Sequence, residues 1–468
     1  MSMLRAQILI LAAASIATLV SSAAQAGGFF IRGYSTTGLG AAFAGIASGN
    51  YLSSVFANPA GIFVVNGLEA EVDGTLVVTN SNISGTATFE PAPPLDTVFG
   101  SSVPLSFLDS NGGEFVDPAF LPALYAGLPL SDRLKIGFGL DGHFGLVTEP
   151  DNQNWAGQFE ARNSRLLTYN FNPVAAYQLL PTLILGAGVQ VQFADTVLKS
   201  AFPNLPAFQG LFLGVPPNQV LKNAFGGSNP NLVIDGDNLG VGYTLGVVWN
   251  PFSGTDIGLG FRSSVQHTLE GDISVAGHRS LGSARTSADL ETPEIVTSSI
   301  SQRVSERLTL LGTVQWTDWS ELNQIVIQAL SSNPNLGAVA GSPVAVLPLD
   351  WHDEWFFSGG VEYDLNNRTT FRSGVAFEES PVQNAVERSA RLPDTNRVWV
   401  SFGATRSLGA FTTLNLAYSH VFFEDGSIDR TTQFSVGDIR LLGKAEQDVD
   451  VFGLSVNVKF GRPVQPLK

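Results

Sequence analysis

Few side chains in this sequence have the spacing of a catalytic or metal-binding site. Serine hydrolases place a histidine beside the nucleophile and orient it with a third group. Serines are too frequent here for chance pairings to be informative, no nucleophile motif stands out, and cysteine is absent. The sequence therefore predicts a protein that is not an enzyme, with no catalytic residue, metal site or cofactor. The five histidines are dispersed and form no cluster: His143, His267, His278, His352 and His420.

Three arginines lie on the polar face of stretches in which apolar and polar residues alternate. They are Arg262, Arg372 and Arg397, and Glu378 shares a face with Arg372. Alternation with a period of two is typical of a strand with two different faces. A guanidinium can hold a carboxylate through two parallel hydrogen bonds, so each arginine is a candidate contact for an anionic ligand. The alternative is that these arginines form ion pairs that brace the fold, and a neutral ligand would need none of them.

One connecting segment is unusually apolar. Residues 198–238 contain the run AFPNLPAFQGLFLGVPPNQVLKNAF. Because an exposed apolar patch usually marks a binding surface, we expect this loop to capture an apolar ligand. The alternative is that it packs on neighbouring loops or on the outer leaflet. The predicted capture residues are Phe202, Leu205, Phe208, Leu211, Phe212, Leu213 and Phe225.

The elements that must position these residues are long strands. TLILGAGVQVQF places Leu185 and Val189 on one face and Gln190 and Gln192 on the other, and it is long enough to cross a bilayer as a tilted strand. The sequence contains 14 such runs, and an even number suits an antiparallel barrel. They start near Leu68, Pro118, Arg133, Ser164, Pro181, Leu239, Gly254, Glu291, Glu306, His352, Asn367, Asp394, Ala410 and Glu446.

Short and long connections alternate along the chain. This asymmetry is typical of bacterial outer-membrane barrels, which have tight periplasmic turns and long outer loops. A soluble β protein, the alternative, would have shorter strands and no such asymmetry between its connections. We predict an all-β fold, a 14-stranded antiparallel transmembrane β-barrel, embedded among outer-membrane lipid and lipopolysaccharide. The long segments are 81–117, 148–163, 198–238, 271–290, 321–351, 379–393 and 425–445.

Composition supports export and a membrane location. Only 14% of the 468 residues are charged, and the net charge of −16 argues against a nucleic-acid partner. The first 26 residues have one arginine, an apolar centre and Ala24-Gln25-Ala26 at their end, which is the pattern of a cleaved signal peptide. A retained membrane anchor is the alternative. The predicted divisions are a signal peptide (1–26), an N-terminal segment (27–67), a barrel (68–460) and a short tail (461–468).

The N-terminal segment, residues 27–67, does not alternate like a strand. It is rich in glycine, alanine and serine, and Arg32 is its only charged residue. A solvated periplasmic tail, the alternative, would be more polar. We therefore predict that this segment folds inside the barrel as a plug, and that the Asn58-Pro59 turn marks its end.

The chain resembles the FadL/TodX (OmpP1) family of outer-membrane transporters for long-chain fatty acids and other hydrophobic compounds. GLGAAFAG followed by NPAGI is similar to the family's N-terminal hatch, and the similarity continues through LPALYAGLPLSDRLKIGFGLDGHFGLVTE to TNRVWVSFGATRSL. The C-terminus departs from the family, because GRPVQPLK follows Phe460, where an aromatic residue commonly ends the chain and assists assembly. That departure affects the predicted contact with the barrel assembly machinery.

The resemblance implies a passive uptake channel, plugged by the hatch, for a hydrophobic small molecule that is most simply a long-chain fatty acid. The alternatives are the same fold transporting monoaromatic or other hydrocarbons, and a non-selective porin or structural barrel. The implied hatch and gating residues are Gly27, Asn58, Pro59 and Ala60, in a protein expected to be monomeric. The implied exit is a kink in the third strand at Gly142, His143, Phe144 and Gly145; an ordinary glycine-rich strand, or release at the periplasmic end, is the alternative.

Overall fold

The computed structural model describes residues 27–226 and 229–460. The predicted signal peptide and C-terminal tail lie outside these residues. In the described part of the chain, none of the helices is long and apolar enough to span a bilayer.

Fourteen long strands form the wall, five of them in two consecutive segments besides the kinked third strand. Their bounds are β1 Leu68–Pro91, β2 Ala119–Pro129, β3 Leu134–Asp141 with Gly145–Thr148, β4 Asn163–Leu180, β5 Leu183–Ala201, β6 Asn231–Phe252, β7 Thr255–Arg262 with Val265–Val275, β8 Ser283–Thr292 with Ile295–Arg303, β9 Leu308–Thr317 with Gln324–Ala329, β10 Pro343–Pro348 with Glu354–Asn366, β11 Thr369–Glu378, β12 Arg397–Ser407, β13 Thr412–Phe423 with Gly426–Phe434, and β14 Gly437–Phe460.

The wall closes on itself. Each strand pairs antiparallel with the next, from β1 with β2 to β13 with β14. The first and last strands then pair along their whole length, from Leu68 opposite Phe460 to Pro91 opposite Gly437. Closure pairs the two terminal strands, so most backbone polar groups of the wall are satisfied within the ring. The predicted 14-stranded antiparallel barrel is confirmed.

The two faces of the wall follow the predicted alternation along most of its length. On β5, Leu185 and Val189 are exposed on the outside, whereas Gln190 and Gln192 are buried inside. On β7 the alternation in DIGLGFRSSVQ predicts Val265 outside, with Phe261, and Gln266 inside, with Arg262, and this prediction was wrong beyond Arg262. Val265 is buried and Gln266 is exposed, because the strand is interrupted at Ser263 and Ser264 and the interruption reverses the side-chain parity.

The outer ends of several strands extend into segments that were predicted to be loops. Residues 425–445 form a two-stranded hairpin rather than a loop, and β6 begins at Asn231 instead of near Leu239. These extensions lie beyond the apolar band, so their sequences lack the alternation that identified the rest of the wall. The short connections are confirmed; one example is the two-residue turn between β4 and β5.

Short helices occupy the remaining described segments. In the N-terminal segment they are α1 Thr36–Leu39 and the 3-10 helices Ile46–Ser48, Leu52–Phe56 and Pro59–Val64. In the outer connections they are α2 Asp96–Phe99, α3 Pro217–Phe225 and the 3-10 helices Leu205–Leu213, Arg279–Leu281 and Pro334–Leu336. Two short strands, Val103–Pro104 and Asn111–Gly113, add to the outer part of β1.

The N-terminal segment lies inside the ring of strands. Of residues 27–67, only Asn50 and Asn66 are exposed. Its backbone is hydrogen-bonded to opposite sides of the wall: Gly33 O accepts from Thr75 Oγ1 of β1 at 3.0 Å, and Gly45 N donates to Thr313 Oγ1 of β9 at 2.8 Å. The segment therefore fills the cross-section of the barrel, as a plug would.

Candidate functional site

A large cavity opens between the outer loops and the N-terminal segment. Its volume is about 1440 Å³, above the roughly 300–1,000 Å³ of most small-molecule pockets. The lining is mainly apolar and comes from strands, loops and the N-terminal segment alike; Phe29 and Trp351 lie at its inner end. Other apolar lining residues are Leu146, Leu166, Leu198, Leu232, Ile234, Leu269, Ile273, Leu290, Ile325, Ile327, Leu349 and Leu392.

One partly buried cation on the cavity wall was not anticipated from the sequence. Arg391 donates to Ser164 Oγ at 3.0 Å and to the carbonyl of Asn163 at 3.3 Å, and its Nε has no hydrogen-bond partner. Within the described residues no carboxylate lies within 4.0 Å of it, because the nearby Glu160 pairs with Arg430 at 3.3 Å. Burial lowers the pKa of Arg391 to about 10, so its guanidinium remains charged at neutral pH. A partly buried cation without an ion pair can receive an anionic ligand.

The predicted capture residues divide into three groups. Phe202 and Leu205 line the cavity. Phe208 and Phe225 are buried in an apolar cluster under the loops, with ring centroids 5.8 Å apart, and Leu211 packs against that cluster. Phe212 and Leu213 are 92% and 84% exposed. The loop thus combines the expected apolar surface with residues that hold it in place, as the packing alternative proposed.

The three predicted lumen arginines do face inward, but none of them lines the cavity. Arg397 contacts Asp394 at 2.9 Å and Glu378 at 3.5 Å, and Arg372 pairs with Glu362. Arg397 and Arg372 therefore form ion pairs within the barrel, as expected if these arginines brace the fold.

The third inward arginine contacts the N-terminal segment. Arg262 donates to the carbonyl of Phe56 at 3.0 Å and lies 4.4 Å from the centre of that ring. It also donates to Gln190 of β5. Arg262 therefore joins the wall to the segment inside it.

The third strand is interrupted at the predicted place. Between Asp141, which pairs with Asn170, and Gly145, which pairs with Leu167, three residues oppose two on β4. Gly142, His143 and Phe144 form this bulge, and such bulges bend strands. Pairing between β2 and β3 ends at Leu124 and Leu140, so the outer part of β2 pairs only with β1. The wall therefore lacks β-pairing between β2 and β3 beyond this point.

The N-terminal segment occupies that break in the wall. Ile31 N donates to the carbonyl of His143 at 2.6 Å, and Gly145 N donates to the carbonyl of Phe29 at 2.8 Å. Phe30 and Phe144 form an isolated antiparallel bridge between these bonds. Phe29 also lines the cavity, so the cavity and the break in the wall share this residue.

The Asn58-Pro59-Ala60 turn is anchored to the wall. Asn58 accepts from Ala60 N at 3.0 Å and donates to Val247 O of β6 at 2.9 Å and to Ala47 O at 2.8 Å. Close approach is possible because β6 presents Gly246 there; a Cβ on Gly246 would overlap Asn58 Oδ1 and lie 2.8 Å from Pro59 Cδ. Gly27 lies at the other end of the segment, against Glu354.

Replacing Gly246 with alanine is expected to destabilise the protein by about 1 to 3 kcal/mol, because the added methyl group overpacks the contact with Asn58. Unfolding of the purified protein in detergent measures the loss. Gly359→Ala is the control, because a Cβ at Gly359 meets nothing within 4 Å. Equal stability of the two variants would contradict a tight fit at Asn58.

Comparisons with known proteins agree with this architecture. The family model for outer membrane protein transport proteins (OMPP1/FadL/TodX) matches residues 17–460. The chain belongs to the OMPP1/FadL/TodX family. Outer membrane protein P1 of Haemophilus influenzae is 24% identical, over 94% of this chain and 97% of that protein. The long-chain fatty acid transport protein of Escherichia coli is also 24% identical, over 88% of this chain and 87% of that protein.

The fold is likewise similar to that of a solved structure. A Pseudomonas aeruginosa FadL homologue superimposes with a TM-score of 0.77 at 22% identity, over 93% of this chain and all of that chain. Membership of the OMPP1/FadL/TodX family places the protein in the outer membrane of a Gram-negative bacterium, among transport channels for hydrophobic compounds.

The sequence of this FadL/TodX-family protein did not identify Arg391 as a candidate ligand contact. It stands in the connection between β11 and β12, where no alternation assigns a face to a side chain. The only available signal was its position in an arginine-rich run, ERSAR at 387–391, within a chain poor in charge.

Proposed function

We propose that this protein is a passive uptake channel for long-chain fatty acids. The apolar chain would lie in the cavity and the carboxylate beside Arg391. The fatty acid would then leave sideways through the break between β2 and β3, once residues 29–33 move away. The observation that carries the proposal is a partly buried arginine without an ion pair on the wall of a large apolar cavity.

The chemistry of the cavity favours an amphipathic ligand. Transfer of an alkyl chain from water to an apolar lining is favourable by about 0.8 kcal/mol per buried CH₂. A hydrogen bond to a charged group contributes roughly a further 1.5–3 kcal/mol. A neutral hydrocarbon would gain the first term and leave Arg391 without a counter-ion.

The proposed exit requires the contacts of residues 29–33 to open, including the ion pairs of Arg32 with Glu354 and Glu378. Residues 29–31 hold the break through two main-chain hydrogen bonds and aromatic contacts, including one between Phe29 and Phe144 with ring centroids 5.7 Å apart. The Asn58 end of the segment is bonded to β6 and would remain in place. We therefore assign the gating movement to the first residues of the segment and an anchoring role to Asn58-Pro59-Ala60.

A non-selective porin is the competing class of function. The interior of the barrel argues against it, because the N-terminal segment crosses the lumen and is almost completely buried. A porin would show large, steady ion currents in planar bilayers, whereas this channel is expected to show little conductance.

Arg391→Gln is expected to weaken oleate binding by about 10- to 100-fold, which corresponds to the loss of one charge-assisted hydrogen-bonded contact. Binding of oleyl alcohol should change little, because it has the same chain without the carboxylate. Tryptophan fluorescence of the purified protein can measure both affinities, since Trp351 lines the cavity.

The two ligands also separate the substrate classes. If Arg391→Gln weakens both ligands equally, or neither, then Arg391 does not receive a carboxylate. If the wild-type protein binds toluene or oleyl alcohol as tightly as oleate, the substrates are neutral hydrocarbons. Arg165→Gln serves as a control, because Arg165 pairs with Asp195 at a half-exposed position outside the cavity lining.

A further inference from the structure

A fully buried group of charged side chains surrounds the first described residues of the chain. Arg32 contacts Glu378 at 2.8 Å and Glu354 at 3.3 Å, and Arg397 contacts Glu378 at 3.5 Å and Asp394 at 2.9 Å. These five side chains have no solvent exposure, and they come from the N-terminal segment, β10, β11, β12 and the β11–β12 connection. We call them the charge cluster.

The charge cluster has two cations and three carboxylates. Arg388, a further cation beside the cluster, directs its guanidinium to the main-chain carbonyls of Asp394, Val382 and Ser427, and it also faces the carboxylates of Asp394, Glu387 and Glu424. Tryptophan NH groups satisfy one oxygen each of Glu354 and Glu378 without adding charge. Within the cluster the carboxylates outnumber the guanidinium groups by one, and a buried carboxylate is stabilised by a further cation close to it.

Gly27 and Gly28 lie directly against the two carboxylates at the ends of this cluster. Gly28 N donates to Asp394 Oδ2 at 3.2 Å. Gly27 is buried, and a Cβ built on it would lie 2.5 Å from Glu354 Cδ. The amino nitrogen and a Cβ are both bonded to the same Cα, so the Gly27 nitrogen lies within about 5 Å of the Glu354 carboxylate.

We infer that the α-ammonium group of a mature chain beginning at Gly27 is the third cation of the charge cluster. Hydrolysis of the Ala26–Gly27 peptide bond by a signal peptidase adds one water: Ala26 leaves as a carboxylate, and the Gly27 nitrogen becomes a protonated amine. The uncleaved chain has a neutral amide at this position. The cluster then contains three positive and three negative charges, and removal of the leader completes the binding site for the N-terminus.

Packing supports the same position for the new terminus. A Cβ at residue 27 would overlap the Glu354 carboxylate, so a larger residue there would require that carboxylate to shift. The cluster also holds the residues next to Phe29, and it thereby fixes the N-terminal segment to the wall beside the break in β3. Cleavage would therefore precede stable docking of the segment.

Amine labelling of the purified, detergent-solubilised protein tests this assignment. Brief reductive dimethylation with isotopic formaldehyde, followed by peptide mass spectrometry, reports both the identity of the N-terminus and its accessibility. We expect Gly27 to be the terminus and to react at least about tenfold more slowly than exposed Lys222 in the folded protein, and as fast as a free peptide amine after unfolding. A terminus at another residue, or a Gly27 amine as reactive as Lys222, would overturn the inference.

A second measurement separates a charge contact from simple burial. One serine inserted between Ala26 and Gly27 moves the ammonium group by one residue and should lower the thermal midpoint. In a Glu354→Gln background the same insertion should cause a clearly smaller drop, because the carboxylate that receives the ammonium group is gone. Two independent, additive losses would show that the ammonium group and Glu354 do not interact. A serine inserted after Gly100, in an exposed loop, is the control for insertion itself.

Discussion

Joining Gly33→Cys to Leu121→Cys by a disulfide is expected to abolish fatty-acid uptake until the bond is reduced. Gly33 lies in the N-terminal segment and Leu121 in the part of β2 that borders the break. A Cβ on Gly33 would lie 3.1 Å from Leu121 Cβ, slightly closer than the roughly 3.5–4.5 Å of a disulfide, so a shift of a few tenths of an ångström suffices. The chain contains no other cysteine that could compete.

A tethered segment cannot leave the break between β2 and β3. Uptake of labelled oleate by cells should fall to the level of cells without the protein, and a reductant should restore it. The same double variant kept reduced is the control, because it carries both substitutions without the tether. Normal uptake by the fully oxidised double variant would contradict a lateral exit and would favour release at the periplasmic end.

Replacing Arg32 with methionine is expected to cost about 3–5 kcal/mol, because it removes the cation that two buried carboxylates share. Arg32 is the only charged residue of the N-terminal segment, and it contacts Glu354 and Glu378 on two different wall strands. The loss should therefore appear first as release of the segment from the lumen. Planar-bilayer recordings should show a rise from little conductance to open-pore currents.

The matched control for this change is Arg165→Met, which breaks an ion pair whose partners are 38% and 35% exposed. Half-exposed pairs contribute no more than about 1 kcal/mol, so this variant should retain both its stability and its low conductance. If the two variants behaved alike, Arg32 would not hold the N-terminal segment in the barrel.

The wall was predictable because lipid imposes a simple rule on each strand. One face must be apolar, and a period of two is visible over about ten residues, as on β5. The rule fails where no lipid is present. The outer half of β8, Ser283–Thr292, stands beyond the apolar band and was assigned to a loop. The rule also fails at local irregularities. The break at Ser263 and Ser264 reverses the two faces of β7, and the residue pattern around these serines does not show the reversal.

The candidate site was less predictable because its contacts join residues far apart in the chain. The period of two on its strand places the side chain of Arg397 inside the barrel. Its partner Asp394 belongs to a connection without periodicity, so the ion pair between them could not be predicted. Likewise, the sequence could not show that Phe225 packs under the loops while Phe202 lines the cavity, since both stand in one apolar run. The kink in the third strand was expected from the family resemblance; the segment that fills it became visible only through the bonds of His143 and Gly145.

The proposed role of Arg391 also limits the ligands that the cavity should retain during purification. A ligand with an anionic head and a long alkyl chain satisfies both the guanidinium and the apolar lining. A neutral ligand gives the Arg391 guanidinium no counter-charge. Such a ligand should therefore dissociate more readily during extraction.

Mass spectrometry of the hydrophobic compounds that remain bound to the gently extracted wild-type protein tests the central claim most directly. We predict a long-chain fatty acid in near-stoichiometric amount, and its loss from the Arg391→Gln variant prepared in the same way. Recovery of neutral aromatic hydrocarbons alone, or equal retention of fatty acid by Arg391→Gln, would contradict the proposed fatty-acid channel.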